Sequence, residues 1–121
     1  MAEKVKDYRD LLVWQKGIQL VKMVYALVAA FPKHETYALS DQLRRAVVSV
    51  PSNIAEGQSR LHKTEFRHHL HIALGSAAEV DTQIVIALEL GYINIADAEN
   101  VYAAIAEIRR MIRGLITSLA I

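Results

Sequence analysis

Between Asp41 and Gly57 the chain keeps a helical period while carrying residues that a helix interior resists. Leu43, Ala46, Val47, Val50, Ile54 and Gly57 recur at spacings of three and four, the pattern of one buried helix face. Ser49, Pro51, Ser52, Asn53 and Glu56 sit within the same stretch. Proline lacks a backbone donor and clashes with the carbonyl of Val47, so a bend is expected there. Serine and asparagine side chains suit the freed carbonyl or a bridging water, which assigns these polar groups to structure rather than catalysis. A segment that overrides local propensity answers to some constraint beyond making a helix.

The rest of the chain parses around this segment. Four periodic stretches, about 10–31, 36–59, 64–90 and 95–119, are separated by short breaks at Pro32, near residues 60–63 and at Gly91. Gly91 is expected to supply a left-handed cap. No strand alternation appears, so the expected class is all-α. Short connections make successive helices antiparallel neighbours, which predicts an up-down-up-down four-helix bundle filling one domain, residues 1–121. The expected core stripes are Trp14, Ile18, Val21, Tyr25 and Val28 on the first helix, and Phe66, Leu70, Ala73, Ala77, Val80 and Ile84 on the third. Val101, Ile105, Ile108, Ile112, Leu115 and Leu119 form the fourth.

The first helix carries a second apolar stripe, Leu20, Val24, Leu27 and Phe31. Together the two stripes cover more of the helix than a monomeric bundle needs, so the second is expected to meet another subunit in a homo-oligomer.

Composition narrows the function classes. No cysteine is present, which excludes disulfides and thiolate chemistry. The longest apolar run, Met23 to Phe31, falls short of the roughly 18–20 residues that span a bilayer. The polar amino terminus shows no signal peptide, so a cytoplasmic location is expected. Net charge is only +1, yet residues 44–71 hold five Lys/Arg against two Glu, while residues 72–108 hold six acids and no Lys or Arg. Alternating helices would gather Lys4, Lys6, Arg9, Arg60, Lys63, Arg67, Arg109, Arg110 and Arg113 toward one end. The other would carry Glu35, Glu89, Asp97 and Glu99.

Candidate chemistry is thin. Among His62, His68, His69 and His71 only His68 and His71 share a helix face, and no further ligand accompanies them, so they read as exposed histidines rather than a metal site. Neither serine has a base at a defined spacing, and no phosphate loop or dinucleotide fingerprint occurs. Gly75 and Ser76 are expected to let helices approach closely, with Glu79 paired to Arg44 or Arg45. We expect no enzymatic activity and no cofactor. Arg60, Lys63, Arg67, Arg109, Arg110 and Arg113 remain as candidate phosphate contacts.

Several motifs then occur in order: Asp10-Leu-Leu-Val-Trp14, Val24-Tyr25, Phe31-Pro32, Glu35-x-Tyr37-x-Leu39, the Asp41–Gly57 block, Arg60, Phe66 and Ile72-Ala73-x-Gly75-Ser76-x-x-Glu79. Together they resemble the 23S ribosomal RNA intervening-sequence proteins, closely over residues 8–93, with the densest match in Ser49-x-Pro51-x-Asn53-Ile-Ala-Glu56-Gly57. The resemblance implies homopentameric rings of four-helix bundles with no attached enzymatic activity. It assigns Trp14, Arg45, Ser49, Pro51, Asn53, Glu56, Gly57, Gly75, Ser76 and Glu79 to the family's structural motif. A related branch, the accessory variability proteins of diversity-generating retroelements, implies reverse transcriptase and nucleic acid as partners. This chain departs from that branch in being nearly neutral. Gly17 stands where many relatives have alanine, and His62 stands where a capping serine is common, leaving Thr64 as the expected substitute cap. The reading is an oligomeric scaffold for RNA or a nucleic-acid-processing protein. The alternative is a protein-interaction ring with no nucleic-acid role.

Overall fold

The computed structural model describes residues 7–119. Four long helices account for most of them: α1, Leu12–Val28; α2, Leu39–Gln58; α3, Lys63–Glu89; and α4, Ile95–Ser118. Short 3-10 turns at Tyr8–Asp10 and Lys33–Glu35 precede α1 and α2, and no strand occurs among the described residues.

Local chemistry sets the helix ends. Asp7 caps the first turn by accepting from the Arg9 N–H at 2.8 Å. α1 ends at Val28, earlier than its apolar period predicts, because Ala30 and Phe31 close tight turns onto Leu27 and Val28 ahead of Pro32. α2 likewise starts at Leu39 rather than near Thr36, after the Lys33–Glu35 turn. At α3 the capping position is His62, which makes no side-chain cap bond; Thr64 lies inside the first turn and does not cap. α3 closes with a Schellman motif. Gly91 adopts φ 77°, its N–H donates to the Leu88 carbonyl, and the Tyr92 N–H reaches Ala87. Asn94 opens α4 by accepting from the Asp97 N–H at 2.8 Å.

The core stripes of α2, α3 and α4 follow their periods. Leu43, Val47, Val50 and Ile54 of α2 are fully enclosed, with Leu70, Ala73, Ala77, Val80 and Ile84 of α3 and Val101, Ile105, Ile108 and Ile112 of α4. Phe66, Leu115 and Leu119 are half-buried against them.

α1 reverses its expectation. Leu20 and Val24 have no accessible surface, Phe31 is buried and Leu27 is half-buried, so the stripe assigned to a subunit interface is the core face. Of the stripe assigned to the core only Val28 is buried. Trp14, Ile18 and Val21 are half-buried and Tyr25 is 44% exposed. The two stripes lie about 100° apart on the helix, and apolarity cannot rank them. The choice is made by packing. Gly17 lies on the Val13–Leu20–Val24 side and meets Pro51 of α2, where a Cβ on Gly17 would stand 3.2 Å from the proline Cβ. α2 continues as helix through Pro51, with that ring seated against α1.

Contacts fix how the helices pair. Gly17 meets Pro51, and Tyr25 shares a groove with Arg44 and Arg45, so α1 and α2 run in opposite senses. Lys16 of α1 pairs with Glu107 of α4 at 2.8 Å, while Met23 and Leu27 line a groove with Asn100 and Val101. The loops opposite are tied where the Tyr92 hydroxyl donates to Glu35 at 2.7 Å and its ring rests against Phe31.

Candidate functional site

The polar residues that the α2 period tolerates are gathered on one seam. Gln42, Ser49 and Glu56 recur every seven residues along α2, and His69, Ser76 and Gln83 do so along α3. A seven-residue step returns a side chain to nearly the same helix face. The two rows therefore meet rung by rung with the helices antiparallel. Gln83 Nε2 donates to Gln42 Oε1 at 3.4 Å, Ser49 and Ser76 hydroxyls lie 2.8 Å apart, and His69 Nε2 stands 3.9 Å from Glu56 Oε1.

Asn53 ties the middle of the seam. Its Nδ2 donates to the Ser49 carbonyl and hydroxyl, both at 2.9 Å, which turns its Oδ1 toward His69 Nδ1 at 3.1 Å. Since Oδ1 can only accept, His69 carries its hydrogen on Nδ1. Ser49 and Asn53 thus bond each other and α3, not the Val47 carbonyl freed by Pro51. His69, with 14% of its side chain exposed, is a seam residue and not one of a set of exposed histidines. Its place is enforced by Gly57, where an added Cβ would stand 2.7 Å from His69 Cβ and 3.0 Å from Phe66 Cδ1.

Two further motif expectations fail. Gly75 has nothing within 4 Å of where its Cβ would be and faces open space, so Ser76, not Gly75, makes the close approach. Glu79 lines the seam but pairs with neither arginine. Arg45 is committed to Asp41 at 2.9 Å, one helical turn away, and Arg44 donates to the Thr36 carbonyl at 2.9 Å.

The candidate phosphate contacts divide. Arg60 pairs with Glu56 at 2.7 Å. Lys63, Arg67, Arg110 and Arg113 are exposed and make no ion pair among the described residues. His62, His68 and His71 are exposed alongside the first two. Arg109 is half-buried, with its Nε shielded and unpartnered. Lys4 and Lys6 lie outside the described residues.

The set expected at the opposite end is not purely acidic, because Lys33 lies beside Glu35 and Arg44 donates to the Thr36 carbonyl next to it. There the Tyr92 hydroxyl holds the Glu35 carboxyl below its ordinary range, and the same bond pushes the phenol up. Burial, followed by the negative charges of Asp81 and Glu89, raises Tyr102. Sequence reading missed this bond, Gln42 and Gln83, and it read His69 as exposed; the seven-residue spacing along each helix was the available signal.

Among the described residues no three metal-ligating side chains converge, and no helix is long and apolar enough to cross a membrane.

Comparison with known proteins follows the same outline. A profile described as 23S rRNA-intervening sequence protein matches residues 9–114. A crystal structure from Bacteroides thetaiotaomicron, a protein with unknown function from the S23 ribosomal protein family, superposes with a TM-score of 0.81 at 21% identity. The match covers 88% of this chain and 96% of that one, and it shows a shared fold. No curated protein matches the chain.

Proposed function

The chain belongs to the 23S rRNA-intervening sequence protein family, and from that premise we propose a non-enzymatic, self-associating scaffold that binds RNA. The helix pairings are read as an up-down-up-down bundle that assembles in the cytoplasm into a closed ring, most simply a pentamer. One observation carries the binding role. Lys63 and Arg67 at the start of α3, with Arg110 and Arg113 near the end of α4, offer four exposed cations free of carboxylate partners among the described residues. In the up-down reading they share one end of the bundle. A single copy of such a patch binds phosphate weakly, and several copies around a ring add through effective concentration. Arg60 contributes less, because Glu56 already neutralises it. Among the described residues no exposed Phe, Tyr or Trp lies within the patch for base stacking, so recognition rests mainly on the phosphate backbone.

The seam holds the α3 end of that patch in place. His69 and Gly57 lock α3 onto α2 within two residues of Arg67, which fixes where the cations stand.

The second reading, a ring that binds proteins only, is favoured by the apolar side chains left on the outer faces. Tyr25 and Val48 flank the α1–α2 groove, and Ile72, Val85 and Ile86 lie outward on α3. Subunit contacts would use these residues, since Leu20 and Val24 are enclosed within the protomer.

Fluorescence anisotropy against a structured RNA at two salt concentrations separates the readings. Binding that falls steeply with salt, and is lost in K63E/R67E while the mass by light scattering stays constant, is the expected result. Absence of binding at low salt would leave the protein-interaction ring.

A further inference from the structure

Arg45 and Glu79 line the same open cavity of about 340 Å3 between α2 and α3, yet they do not pair with each other. The groups on its floor are also incompletely matched. Gln83 is 8% exposed, and its Oε1 is shielded from solvent without a hydrogen-bond partner. Ser49 and Ser76 bring two hydroxyl hydrogens, and their mutual 2.8 Å contact uses one. Ser49 accepts from Asn53 as well, so the second hydrogen is left as a donor with no acceptor among the described residues. Buried polar groups are nearly always satisfied, and unmatched ones on residues that line a cavity call for a complement.

The complement has a definite form. It must offer negative charge and an acceptor toward Arg45 and the serine pair, and positive charge and a donor toward Glu79 and the Gln83 carbonyl. We propose that this cavity binds the zwitterion of a free α-amino acid. Its carboxylate meets the Arg45 guanidinium, whose Nε is held by Asp41 and whose outer nitrogens remain available, and the spare serine hydroxyl. Its ammonium meets Glu79 and Gln83 Oε1. A second cavity shares Arg45 and Ser49 and continues over α2 between Tyr25 and Val48, which are 44% and 39% exposed. That surface favours an apolar or aromatic side chain over hydrogen. The site lies on the helix faces of the seam, so it neither uses the basic end nor depends on RNA binding.

An amide-resolved NMR titration of the full chain with L-phenylalanine tests the assignment. Saturable shifts are expected at Ser49, Ser76 and Gln83, with weaker binding for glycine. Phenethylamine, 3-phenylpropionate and N-acetylphenylalanine amide each remove one or both charges and should bind at least about tenfold more weakly. Gln83→Leu and Glu79→Gln should each weaken phenylalanine by about tenfold. Should Gln83→Leu fail to fold, the exposed Arg45 provides the equivalent test as Arg45→Gln. No saturable shift with phenylalanine, or equal shifts with the singly charged and neutral analogues, would overturn the site.

Discussion

Replacing Gly57 with alanine sets two effects of opposite sign against each other, and the structure decides between them. In a helix interior alanine is favoured over glycine by about 1 kcal/mol. At Gly57, however, the new methyl would stand 2.7 Å from His69 Cβ, 3.0 Å from Phe66 Cδ1 and 3.3 Å from the Phe66 carbonyl oxygen. The nearest atom is a Cβ anchored to the α3 backbone, so a rotamer change cannot relieve the contact; α3 itself must move. Displacing a packed helix costs about 1–3 kcal/mol, and here it also strains the Asn53–His69 bond of 3.1 Å. After subtracting the propensity gain, G57A should be destabilised by about 1–2 kcal/mol, at the upper end of that packing cost. Gly75 is the internal control. It lies in a helix too, but its Cβ would meet nothing within 4 Å, so G75A should be stabilised by up to about 1 kcal/mol. Urea unfolding with m held constant reads both, and thermal midpoints should separate by roughly 10 °C for a domain of this size. A G57A variant as stable as G75A would refute the close helix approach and, with it, the locked position of His69.

Other expectations follow from the same geometry. Leu20→Ala should cost about 2–5 kcal/mol in urea unfolding, and L20K should unfold the protomer instead of releasing folded monomers, because the side chain is fully enclosed. Asn53→Ala removes bonds to Ser49 and His69 and leaves buried partners unsatisfied; a loss of about 1–3 kcal/mol is expected, and an unchanged midpoint would remove the seam's structural role. The Tyr92–Glu35 bond should shape both pH limits of stability. Glu35 is depressed in the folded state, so its contribution is full above the ordinary glutamate range and fades as pH falls through the folded value. Tyr92 is raised, so its contribution holds below the ordinary tyrosine range and fades as pH rises through the folded value. Y92F should flatten both limbs of a Tm-against-pH profile, and an unaltered profile would exclude the bond.

Much of the fold was legible in the residues. Leu43 to Gly57, Leu70 to Ile84 and Val101 to Ile112 each offer one continuous apolar face, and a helix with one such face has one way to bury it. Gly91 and Asn94 mark their boundaries through local backbone chemistry that needs no distant partner. The chemistry-bearing seam was half legible. Ser49, Asn53 and Ser76 stood out as polar intrusions, but their bonds between α2 and α3 join residues 27 and 16 positions apart in sequence, and propensity carries no information on such pairs.

What the sequence alone determined is the number of helices, the core faces of three of them and the residue types on each rung. Only the tertiary structure decided the orientation of α1, because its two apolar stripes are equivalent until the small surface of Gly17 meets the ring of Pro51. It alone brought Gln83 and His69 opposite Gln42 and Glu56, and left Arg45 and Glu79 on one cavity without joining them. The physical reason is common to all three. Periodicity reports how each helix divides its own surface, whereas register and facing direction are properties of pairs, set by close packing between residues that no local rule connects.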